Sequence, residues 1–216
     1  MLASDARKIL SSLGFGWLLK PDQEIEKLSL SSLNVIPLLG NFDSGFALGQ
    51  YSEPVGAHRE NTQVGMLLHR FKYQFDQSAG VMLVDLAVEL IKGRNLLKSS
   101  DFMVTVPPSF TSRPFDPISF LAEEISERTG IRWEKDVIKR TRITKLQKRI
   151  LDKAGKEENV ISTFRLNNHP VIFGKKILLL DDLYDSGATI NQISQILRRA
   201  KADKIFVLVL AKTSYV

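Results

Sequence analysis

The run Lys176-Ile-Leu-Leu-Leu-Asp181 is short, strongly apolar and followed at once by a second acid, Asp182. Apolar runs of this length, too short for a buried helix, suit a strand covered on both faces of a sheet. Downstream, Ile190, Ile193, Ile196, Leu197 and Ala200 recur at helical spacing, and Ile205 to Leu210 forms another apolar run. Strand, helix and strand in that order demand a parallel pair joined by a right-handed crossover. The same alternation runs upstream. Val64, Leu67, Leu68 and Phe71 fall on one helix face, and Leu83, Leu86, Ala87 and Leu90 repeat the spacing up to Gly93. Phe102 to Pro107 reads as a buried strand. Asp116-Pro117 opens a further helix, because Asp caps and Pro suits the first helical position. The fold class expected is α/β, a doubly wound, mainly parallel sheet flanked by helices, with a small N-terminal hood.

The first sixty residues are less regular. Leu2 to Leu13 suits a helix, Ser29 to Asn34 a connection, and Phe46 to Tyr51 a short strand stopped by Pro54 and Gly56. Two regions are therefore expected: residues 1–60 as an N-terminal extension or hood, and 61–216 as the core. No apolar run approaches the roughly 20 residues that span a bilayer. Met1 to Lys20 lacks a signal-peptide layout, so the expected compartment is the cytoplasm. With no cysteine in 216 residues, thiolate metal sites, disulfides and a cysteine nucleophile are excluded. His58, His69 and His169 are scattered and read as surface or packing residues.

Chemistry concentrates after the acidic pair. Ligands of open α/β sheets sit outside the carboxyl ends of strands. Asp185-Ser-Gly-Ala-Thr189 would set free backbone N–H groups at a helix N-terminus, where the dipole also favours an anion. Gly187 allows close approach, and Ser186 and Thr189 add hydroxyls. Asp181 and Asp182 are poor neighbours for phosphate but good acceptors for sugar hydroxyls. A phosphate cradle beside hydroxyl acceptors points to a sugar phosphate. The alternatives are a strand–turn–helix whose Asp and Ser only cap, or a receiver-like acidic pocket.

The stretch Ile177 to Ile190 resembles the phosphoribosyl diphosphate (PRPP) signature of type I phosphoribosyltransferases: four apolar residues, two acids, then a loop ending in Ser/Thr-Gly-x-Thr. Leu68-His-Arg-Phe-Lys-Tyr73, Val104-Thr-Val-Pro-Pro108, Lys139-Arg-Thr141, Gln147-Lys148, Asn159-Val160, Phe164-Arg165 and Val209 to Thr213 are similar, in order, to ComF-like members of that family. These include competence-associated proteins and domains that accompany RecQ-type helicases. The resemblance implies transfer of 5-phosphoribosyl from PRPP to a nitrogen nucleophile, with release of diphosphate. It implies that Asp181 and Asp182 hold the ribose hydroxyls and that Asp185, Ser186, Gly187, Ala188 and Thr189 hold the 5-phosphate. Pro107, Pro108, Ser109 and Arg113 would face the diphosphate. Asp185 would exchange a proton with the acceptor; its alternative is a plain helix-terminal acid. Mg²⁺ would be held mainly by PRPP itself, with no dedicated metal ligands.

The formal net charge of +6 has a local origin. Lys139 to Lys156 carries eight basic residues against Asp152 alone, and the rest of the chain is close to neutral. The family's equivalent segment is a flexible loop, so Lys139, Arg140, Arg142, Lys145 and Lys148 are expected in a lid over the diphosphate. A solvated loop and a nucleic-acid contact are the other readings. No aromatic lies within the run, which weighs against single-strand binding by stacking. Lys72 either reaches the site or snorkels along its apolar neighbours, the simpler reading. Many competence-type members carry a four-cysteine zinc segment, which a chain without cysteine cannot form. The alternative function is a non-catalytic PRPP sensor or scaffold in DNA uptake or repair. Partners consistent with the resemblance are PRPP, a nitrogen acceptor, DNA or a DNA-processing protein, and a second copy in a homodimer.

Overall fold

A computed structural model describes residues 28–108, 116–141, 163–167 and 172–213. The helix expected over Leu2 to Leu13 lies outside them. The elements in chain order are a 3₁₀ turn at Leu30–Ser32, β1 (Ile36–Pro37), β2 (Ser44–Gln50), β3 (Ser52–Val55) and β4 (His58–Asn61). Helices α1 (Gln63–Gln74), α2 (Gln77–Gly93) and α3 (Asn95–Lys98) precede β5 (Phe102–Thr105) and α4 (Pro117–Thr129). Strands β6 (Ile138–Arg140), β7 (Phe164–Leu166) and β8 (Lys176–Tyr184), helix α5 (Ala188–Arg199) and β9 (Lys204–Lys212) follow.

The main sheet has the order β1-β2-β9-β8-β5. Only the short β1 runs antiparallel; β2, β9, β8 and β5 are parallel to their neighbours. The apolar runs read as buried strands occupy its centre. Leu178, Leu180, Phe206, Leu208 and Leu210 pack into one core with α1, α2 and α4. Their alternates, Ile177, Leu179, Ile205, Val207 and Val209, pack into a second core with α5. Successive side chains of a strand point to opposite faces, so a strand apolar throughout must be covered twice. The doubly wound, mainly parallel α/β sheet is present.

Local starts follow the sequence. Asp116 caps α4, its carboxylate accepting from Ile118 N at 3.2 Å and from the Ser119 hydroxyl at 2.6 Å. Gly130 ends that helix at φ 76°, in the left-handed region. Two expectations shift. Pro54 does not stop a strand; it sits inside β3, opposite Arg59, in a two-stranded hairpin turned by Gly56. Proline fits there because an isolated pair leaves one edge free of partners. The second shift concerns the sheet's extent: Ile36–Pro37 and Ser44–Gln50, from the stretch expected as a hood, supply two of its five strands.

Candidate functional site

The carboxyl ends of β2, β5, β8 and β9 share one edge of the sheet, where ligands of such folds sit. Strand β8 is longer than its apolar run suggests. It continues to Tyr184, with Asp181 opposite Val209 and Tyr184 opposite Lys212. The acidic pair is therefore fixed within the ladder rather than hung on a loop.

Alternation sends Asp181 and Asp182 to opposite sides of the strand, and each carboxylate has one oxygen engaged. Asp181 Oδ1 accepts from the Asp182 backbone N–H at 2.9 Å. Asp182 Oδ2 meets Lys72 Nζ at 2.7 Å. Of the two readings of Lys72, the structure supports the one that reaches the acid pair rather than snorkelling: its side chain is 14% exposed and that of Asp182 20%. Burial, and then the charge of Asp182, push the Asp181 carboxyl up to about 8, against the pull of Lys72 and Arg140. A carboxyl so strongly perturbed by burial and a neighbouring acid makes Asp181 a candidate functional residue.

The helix start beyond is built on Gly187. Its φ of 77° is costly for any residue with a side chain, and a Cβ there would collide with the Tyr184 hydroxyl. That hydroxyl donates to Leu39 O at 2.9 Å, tying the end of β8 to the loop after β1. Ser186 Oγ accepts from Ala188 N at 3.4 Å, and α5 has no side-chain N-cap at Gly187. Asp185 and Ser186 are exposed, and Thr189 is partly buried. Asp185 Oδ1 accepts from the Thr213 hydroxyl at 2.5 Å, which links the end of β9 to the proposed proton-exchanging residue.

On the other side of β8, Pro107 and Pro108 follow β5. Arg140, in β6, donates to both of their carbonyls at 3.3 Å, and its guanidinium stacks 4.6 Å above the Phe164 ring. Burial lowers the pKa of Arg140 from its usual value, and the charge of Asp181 partly restores it. Lys139 and Arg140 thus begin the basic run inside a strand, not in a loop. Ser109, Arg113, Arg142, Lys145 and Lys148 lie outside the described residues. Among the described residues, no three His, Asp or Glu side chains gather into a metal-binding group, and no helix is long and apolar enough to cross a membrane. Thr213 is the site contact that sequence reasoning missed, and for Lys72 it left the partner open; both lay within stretches noted for their resemblance, but no periodicity says whom a polar side chain meets.

No family model matches the chain. It is 27% identical over 183 residues to competence protein F of Haemophilus influenzae, covering 80% of this chain and 74% of that protein. It is 26% identical over 153 residues to the DNA utilization protein YhgH of Escherichia coli strain K12, covering 68% of this chain and 66% of that one. Over most of its length the chain is therefore similar to ComF-like proteins. Among solved structures, adenine phosphoribosyl transferase from Trypanosoma brucei aligns with this chain at 13% identity and a TM-score of 0.45, over 84% of this chain and 86% of that one.

Proposed function

We propose that the protein binds PRPP at the carboxyl edge of β8 and transfers its 5-phosphoribosyl group to a nitrogen nucleophile, releasing diphosphate. The observation that carries this reading is the acid pair Asp181–Asp182, held in the β8 ladder and followed directly by the Gly187-opened N-terminus of α5. Carboxylate oxygens accept ribose hydroxyls, while helix N–H groups and the dipole suit the 5-phosphate. In this reading Asp185 to Thr189 hold the phosphate, and Pro107, Pro108, Ser109 and Arg113 face the diphosphate. Lys139, Arg140, Arg142, Lys145 and Lys148 supply cationic cover.

The nucleophile's nitrogen attacks C1, the bond from C1 to the diphosphate oxygen breaks, and the diphosphate leaves with its electron pair. The nitrogen's proton passes to a base, the role given to Asp185. The oxocarbenium-like transition state needs a fixed ribose, a stabilised leaving anion and little water. The hard oxygens of the acid pair suit a ligand that brings a hard cation with it, and Mg²⁺ bound with PRPP would supply charge neutralisation on the diphosphate. Calorimetric titration with PRPP and Mg²⁺ tests the reading: saturable heat is expected, and none at millimolar ligand would overturn it. Converting Asp181→Asn together with Asp182→Asn is expected to abolish binding.

A second reading, a PRPP sensor without turnover that serves DNA uptake, is favoured by the names of the relatives, a competence protein and a DNA utilization protein. The bond from Thr213 to Asp185 also supports it, because it occupies one oxygen of the group that would take the proton. PRPP binding without diphosphate release across a panel of nucleobases would select this reading. Filter binding of DNA across a salt series would test the nucleic-acid part, with a slope near zero removing it.

A further inference from the structure

We propose that Lys72 is a positioning residue of the acid pair, holding the Asp182 carboxyl turned so that each acid keeps one oxygen open to a vicinal diol. The inference rests on the sugar-phosphate reading of the site and deepens it.

The placement of Lys72 is built in by the fold. Helix α1 begins directly after the hairpin that follows β2, with Thr62 as its cap accepting from Gly65 N at 3.1 Å. Gly65 lets the helix start pack onto the end of β2, since a Cβ there would lie within covalent distance of Tyr51 O. At the other end, Arg70 pairs with Asp76, which caps α2. A helix pinned at both ends leaves Lys72 little freedom, and its ammonium lies against Asp182 Oδ2. Buried or half-buried charge-assisted contacts of this kind hold geometry more firmly than exposed ones.

The consequence is a matter of counting oxygens. Asp182 Oδ2 is taken by Lys72 and Asp181 Oδ1 by a backbone N–H. Among the described residues, Asp182 Oδ1 and Asp181 Oδ2 then remain as acceptors, one on each acid. In number, these two acceptors equal the two neighbouring hydroxyls of a ribose. Without the ammonium, the Asp182 carboxyl would lose the contact that fixes Oδ2 and would be free to rotate.

The test compares PRPP affinity, with Mg²⁺ present, in wild type, Lys72→Met, Lys72→Arg, Asp182→Asn and the Lys72→Met/Asp182→Asn pair. Lys72→Met is expected to weaken binding by about tenfold, Lys72→Arg to recover most of the loss, and Lys72→Met to add little once Asp182 is already Asn. Carbon NMR of aspartate-labelled, ligand-free protein supplies a readout that does not need PRPP. The Asp182 carboxyl signal is expected to move in Lys72→Met while that of the distant Asp101 stays. Wild type binding PRPP with Lys72→Met equally tight, or an unmoved Asp182 signal, overturns the role of Lys72 alone. Wild type binding no PRPP overturns the sugar-phosphate reading and this role with it.

Discussion

At the scale of single residues, the ligand-free site stores cost in Asp181. Its carboxyl is raised to about 8, first by burial and then by the charge of Asp182. A raised acid binds its proton more tightly in the folded chain than in the unfolded one. Its contribution to stability is therefore complete below the usual carboxylate range and is lost as pH rises through the folded value. Between about pH 4 and pH 8 this one group makes the ligand-free protein less stable with rising pH. Asp181→Asn is expected to remove that slope. The residue is partly exposed, so water moderates the effect, and the variant should gain about 1–3 kcal/mol at pH 8.5 and little at pH 4.5. Urea unfolding at both pH values checks it. Gly187 is constrained differently. Gly187→Ala must place a methyl against the Tyr184 hydroxyl at positive φ, and is expected to cost about 2 kcal/mol. Tyr184→Phe removes the obstructing oxygen, so the double variant should be less unstable than the two single losses predict.

Elements carry the site by their ends. Helix α4 starts where Asp116 accepts from Ile118 and Ser119, and Asp116→Ala is expected to cost about 1 kcal/mol of stability, measurable as a lowered denaturation midpoint with PRPP affinity unchanged. Helix α1 depends instead on a close approach. Gly65→Ala should push it away from Tyr51 O and cost both stability, by about 2 kcal/mol or more, and PRPP affinity, since Lys72 travels with the helix. Comparing these helices shows what a sequence discloses. The cap at Asp116, the stop at Gly130 and the faces of α1, α2 and α5 are local patterns, written by periodicity and by the chemistry of helix ends. The strands Ile177–Leu180 and Ile205–Leu210 were legible because continuous apolarity has few other uses. The β3–β4 hairpin was hidden by Pro54, which usually breaks strands but is harmless in an isolated pair. Lys72 against Asp182, and Thr213 against Asp185, were not legible, because such contacts follow from how distant elements are laid side by side.

For the whole molecule, the order β1-β2-β9-β8-β5 collects at one edge residues from every part of the described chain. Lys72 comes from α1, Pro107 and Pro108 from the end of β5, Arg140 from β6, the acids from β8 and Thr213 from beyond β9. None of them is close to most of the others in sequence, so the site exists only when the sheet is closed. A ligand of that edge must then stabilise the fold as a unit, by about 2.7 kcal/mol at a hundred times its dissociation constant. Under the proposed function, PRPP with Mg²⁺ should raise the midpoint of thermal unfolding in wild type and leave Asp181→Asn/Asp182→Asn unmoved. Ribose 5-phosphate alone should give part of the shift, because it engages the acid pair and the start of α5. Diphosphate alone should act through the Arg140 side and keep its effect in the double variant. A shift from diphosphate but none from ribose 5-phosphate would mean that the anion, and not the sugar, is what this edge recognises. The acid pair would then be a structural counter-charge to Lys72 and Arg140.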